Sequence, residues 1–81
     1  MMSKVESVRD SIVRAFRNRA GVVKGIDGSL EVVVRGGLSA NELLFLRTLL
    51  SDAGYDLSRI YFHRKRDALV VRFKRISHGG V

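Results

Sequence analysis

The chain has 81 residues, 46% of them hydrophobic, and its fifteen basic against eight acidic side chains leave a net charge of +7. That length supports one hydrophobic core, so 1–81 is read as a single domain. The absence of cysteine excludes disulfides, thiolate metal sites and a thiol nucleophile, and the excess of cations points to a polyanionic partner, most often nucleic acid inside a cell.

No stretch approaches the roughly 18 consecutive apolar residues of a membrane span. Lys4, Glu6, Arg9 and Asp10 interrupt the region where a signal peptide would carry its apolar core. The expectation is a soluble, cytoplasmic protein with no membrane attachment, loosely held only at 1–3 and 77–81.

Across 3–20, Val5, Val8, Ile12, Ala15 and Phe16 recur at helical spacing, and Asp10 and Arg14 make a favourable i,i+4 pair. This predicts an amphipathic helix ended by Gly21. Arg14, Arg17 and Arg19 crowd its last turns, where cations complement the negative end of the helix dipole. Arg14 and Arg17 point away from the apolar stripe and are candidates to extend a cationic surface.

Residues 22–35 read as a hairpin, because Asp27-Gly28 tolerates positive φ at both central positions of a type I′ turn. A two-residue turn there opposes Val23 to Val32, Lys24 to Glu31 and Gly25 to Leu30. One face then carries Val23, Leu30, Val32 and Val34, and the other carries Val22, Ile26 and Val33. Gly36-Gly37 breaks the second strand.

In 38–54 every local signal agrees on a helix. Ser39 and Glu42 have the spacing of a capping box, Leu38 and Leu43 that of a hydrophobic staple, and Gly54 supplies a left-handed closing residue. Leu43, Phe45, Leu46, Leu49, Leu50 and Ala53 fill an arc of roughly 160°, from which Leu44 falls out.

Both 59–63 and 68–74 alternate in polarity, with the charged run 64–67 between them. A loop of two or four residues gives the same register, opposing Arg59 to Arg72, Ile60 to Val71 and Phe62 to Leu69. Ile60, Phe62, Leu69, Val71 and Phe73 share the core face, while Arg59, Tyr61, His63, Val70, Arg72 and Lys74 lie opposite. Two one-sided helices and two one-sided hairpins satisfy each other as an α+β, two-layer αββαββ sandwich: both helices on one face of a four-stranded, mainly antiparallel sheet.

The second sheet face is then open, and it carries the most suggestive residues. Like charges at Arg59 and Arg72 cost stability unless an anion sits on them. Tyr61 between them offers a stacking ring, and Arg64, Lys65 and Arg66 form a cationic tip that can follow a phosphate backbone. With Lys74, Arg14 and Arg17, these compose a candidate nucleic-acid surface; a solvated face with a charged turn guarding an edge is the plainer account. Val22, Ile26, Val33 and Val70 of the open face, with Leu44, compose a candidate homodimer interface.

No catalytic, cofactor or metal site can be assembled. His63 and His78 lack acidic companions, and the Gly-Gly pairs lack a phosphate-cradling pattern. The aromatic-glycine signature of RNA-recognition motifs, the Gly-x-x-Gly of KH domains and zinc-finger spacing are all absent. Two functions are therefore expected of a non-enzymatic protein. The first is binding of nucleic acid, DNA before RNA, with weak sequence preference; the alternative is homo-oligomeric assembly, or capture of an acidic partner, through the open face.

Overall fold

The capping box predicted at Ser39 and Glu42 is closed on both sides: the Glu42 amide donates to Ser39 Oγ at 3.1 Å, and the Ser39 amide donates to Glu42 Oε1 at 2.9 Å. It opens a helix, Ala40–Asp52, in a computed structural model that describes residues 3–76. The chain order is α1 (Lys4–Phe16), a 3₁₀ turn (Arg17–Arg19), β1 (Ala20–Lys24), β2 (Leu30–Val34), α2 (Ala40–Asp52), β3 (Tyr55–His63) and β4 (Ala68–Arg75). The expected loose tail 77–81, His78 included, falls outside the described residues. Ser3, expected to be loose, instead caps α1 by accepting the Glu6 amide.

One apolar cluster joins Val8, Ile12 and Phe16 of α1 and Leu46 and Leu50 of α2 to Leu30, Val32, Val34, Tyr55, Val71 and Phe73 of the sheet. Both helices therefore cover the same face, giving the α+β sandwich expected from the sequence. The strand order is β1-β2-β4-β3, and every neighbouring pair is antiparallel. Helix α2 thus carries the chain across β4 to place β3, parallel to β2, at the outer edge.

Two local expectations are overturned. The first helix stops at Phe16, and Gly21 lies inside β1. Its C-cap is Arg17, at φ 55 and ψ −128, a conformation close to the first central position of a II′ turn, where glycine dominates. The first hairpin is also displaced by one residue. Val22 faces Val32, Val23 faces Glu31 and Lys24 faces Leu30. The Gly28 amide donates to Gly25 O and the Gly25 amide to Ser29 O, with Gly28 at φ 85. This is a three-residue loop, a type I turn followed by a left-handed glycine, rather than a two-residue I′ turn. A slip of one flips a whole strand, so Val22 packs against the core while Val23 is exposed.

The second hairpin keeps its expected register at the loop end, and a bulge between Leu57 and Arg59 shifts the pairing below it. Ile60 and Phe62 lie on the helix side as expected but are 41% and 56% exposed, and Leu69 is only half-buried. The physical reason is the reach of α2, which covers Leu57 at the core but leaves the last residues of β3 uncovered.

Replacing Arg17 by glycine should relieve its backbone strain. The expected gain is about 1 kcal/mol, read as a rise of about 4–8 °C in melting temperature.

Candidate functional site

On the sheet face away from the helices, the registers align Val23, Glu31, Arg72 and Arg59 in one row and Gly21, Val33, Val70 and Tyr61 in the next. Arg59 and Arg72 oppose one another as expected. The anion that relieves them belongs to the chain itself. An Arg72 Nη donates to Asp27 Oδ2 at 2.6 Å, while Asp27 Oδ1 accepts the hydroxyl and the amide of Ser29 at 2.6 and 3.1 Å. One carboxylate closes its own turn and anchors an arginine from β4. The Ser29 hydroxyl and amide, then the Arg72 guanidinium, hold the Asp27 carboxyl down at about 2.

Tyr61 is likewise engaged. Its hydroxyl donates to Glu31 Oε2 at 3.4 Å, reaching from β3 to β2 with β4 between them. That span lays the ring across β4 and accounts for Val70, which is only 1% exposed although no helix covers its face. Arg72 and Tyr61 therefore hold the open face together instead of standing free on it.

The expected association patch does not form as one surface. Val22 packs against the core on the helix side, Ile26 sits fully exposed in the first turn, and Leu44 is exposed on α2. Only Val33 and Val70 remain adjacent on the open face, and Val70 is buried. The one-residue slip of β1 is the cause for Val22, and the Tyr61 span is the cause for Val70.

The exposed cations gather elsewhere. Helix α1, β2 and β3 end, and β1 and β4 begin, at the same end of the sheet, because Ala20 pairs with Val34, Val34 with Leu69 and Leu69 with Phe62. Arg17 lies at this end in the turn that leads into β1, and Arg35 follows β2 at the same end, its amide donating to Arg19 O at 2.7 Å. Arg64, Lys65 and Arg66 follow immediately in the β3–β4 loop. That loop is fixed by the Asp67 amide on Arg64 O, by Asp67 at φ 50, and by the Arg66 amide on His63 Nδ1. All five cations are exposed.

The remaining candidates lie apart. Arg59 is on the outer strand of the open face, and Lys74 faces Asp56 at the opposite end of the sheet. Arg14 pairs with Asp10 on the outer surface of α1. Arg19 is used structurally: it bonds Glu42, Gly37 O and Arg35 O and stands 5.7 Å from the centre of the Phe16 ring. The Arg19 guanidinium and the Ser39 amide draw the Glu42 carboxyl below its usual range. Arg35 is the residue that sequence reasoning missed. Its one signal was its place between the apolar run of β2 and Gly36-Gly37, which fixes it at a strand end.

Among the described residues, no group of three or more His, Cys, Asp or Glu could hold a metal ion, and no helix is long and apolar enough to cross a membrane. Compared with protein-family models, with curated proteins and with solved structures, the chain matches none.

Because the folded Asp27 carboxyl titrates below its ordinary value of about 3.9, its contribution is complete above that value and is lost as the pH falls towards about 2. Asp27→Asn should destabilise the protein clearly near neutral pH and far less near pH 2. Urea unfolding of both forms across that window checks the sign.

Proposed function

We propose that this protein binds nucleic acid through phosphate contacts made by the cationic end of its sheet, with weak sequence preference and no catalysis. The observation that carries the proposal is the convergence of Arg17, Arg35, Arg64, Lys65 and Arg66 on that end. Among the described residues, only Arg14, Arg19 and Arg72 lie within ion-pair distance of a carboxylate. Uncompensated cations in one place raise the local potential and attract a polyanion.

The strained backbone of Arg17 supports the same reading. A cation occupies a position where glycine would be more stable, the kind of local cost that accumulates at functional sites. Arg59 flanks this surface on the outer strand and Arg14 extends it over the helix layer, whereas Lys74, at the opposite end of the sheet, takes no part in it. Arg72 and Tyr61, bound to Asp27 and Glu31, act by holding the hairpin in place. DNA comes before RNA because a two-stranded ribbon with a basic tip fits the wide major groove of B-form DNA, whereas the major groove of A-form RNA is deep and narrow.

The test is a titration with short duplex and single-stranded DNA and RNA at two salt concentrations. Each neutralised phosphate of duplex DNA contributes about −0.9 to the slope of log affinity against log salt. Converting Arg64, Lys65 and Arg66 together to glutamate should flatten that slope by about 2–3 and weaken all sequences alike. Affinity independent of salt, or unaltered in the charge-reversed protein, would overturn the proposal.

A further inference from the structure

Strand β3 runs nine residues at the outside of the sheet, so one of its edges presents backbone N–H and C=O groups to no partner strand. Proteins usually blunt such an edge with prolines or with charges on the covered side. Here the helix side of that strand carries Ile60 and Phe62, 41% and 56% exposed, beyond the reach of α2. Leu44, 62% exposed, stands on the flank of α2 that shares a groove with Leu57 of the same strand. An unpaired edge and an apolar overhang therefore coincide.

We infer that the occupant of this edge is β3 of a second copy, paired antiparallel about a two-fold axis perpendicular to the sheet, with Tyr61 on the axis. Such an axis sets one residue opposite itself and its neighbours opposite one another. With Tyr61 there, Ile60 faces the partner's Phe62 and Phe62 faces the partner's Ile60, so two aromatic–branched pairs close over the exposed side chains. Moving the axis to Ile60 puts Phe62 opposite a serine, Ser58. Moving it to Phe62 puts Ile60 opposite Arg64 of the turn. Only the Tyr61 register matches both apolar residues, and this self-match selects a second copy over an unrelated strand. The bulge between Leu57 and Arg59 limits pairing to the segment from Arg59 to His63.

In that arrangement all four helices lie on one side, and the two open faces join into a single eight-stranded surface. Arg59 and His63 of the two copies meet beside the axis. The cationic tips point in opposite directions, roughly 20 Å apart along the strands. Each copy carries a net charge of +7, so association strengthens as salt screens the repulsion. Nucleic-acid binding has the opposite salt dependence, and the dimer requires no nucleic acid.

The chain lacks cysteine, so a single introduced thiol reports the register. In nucleic-acid-free protein, Tyr61→Cys should oxidise to a covalent dimer, because directly opposed Cβ atoms lie within disulfide reach. Arg59→Cys should not link to itself, yet should link to His63→Cys in an equimolar mixture. Sedimentation of the unaltered protein over a concentration series should show a monomer–dimer equilibrium that tightens with salt. Phe62→Lys, at an exposed position, should weaken it at least tenfold with circular dichroism unchanged. A strictly monomeric protein at millimolar concentration would overturn the inference and leave the edge to a strand of another protein. A dimer indifferent to Phe62→Lys, or Arg59→Cys linking as readily as Tyr61→Cys, would overturn it equally.

Discussion

The architecture of the sheet depends on one carboxylate. Asp27 uses one oxygen to close the turn after β1 and the other to hold Arg72. The first contact fixes a three-residue loop, and the loop length decides which side of β1 meets the helices. The second joins the two hairpins across the open face. Gly25 belongs to the same device: a side chain there would collide with the Ser29 hydroxyl that Asp27 accepts. A small turn thereby governs both the composition of the core and the charges left free outside it.

The parts of the fold legible in the sequence are those whose signals are local or redundant. Helix α2 announces itself through Ser39, Glu42 and Gly54, all within it or within two residues of its ends. The register of the second hairpin is the same for a loop of two or of four residues, so the opposition of Arg59 and Arg72 does not depend on which of the two forms. The first hairpin offered no such redundancy. Val22 and Val23 are both valines, and Asp-Gly serves two turn types, so nothing in the pattern could decide between registers one residue apart. The end of α1 was hidden for a different reason. Gly21 is a good terminator by propensity, while the residue that does the work, Arg17, is a poor one. The adjacent valines Val70 and Val71 did carry a readable signal of a strand covered on both faces.

The candidate site was legible in its cations and not in their pairing. Arg64, Lys65 and Arg66 stand out as a charged run in a turn, and the structure leaves them exposed. Arg72 looked equally free until the chain brought Asp27 to it from another hairpin. Such a pairing depends on strand order, which hydrophobic periodicity does not encode. Tyr61 followed the same course, its hydroxyl finding Glu31 two strands away. The effect is a division of labour within one face, where the centre is knitted by internal contacts and the rim at the sheet end stays available.

The ladder between β2 and β4 has a consequence for how the chain acquires its shape. Leu30 pairs with Phe73, so the middle of the sheet is built from segments about forty residues apart. Each hairpin can form early from its own near neighbours, but neither can bury both of its surfaces alone. Collapse must therefore wait for the two halves to dock, and the docking step, with its large loop-closure entropy, should govern the speed of folding. Until it is complete, Val32 and Val71, central to the finished protein, are unprotected strand surface, and crowding in that interval would favour chain-to-chain pairing over the native ladder.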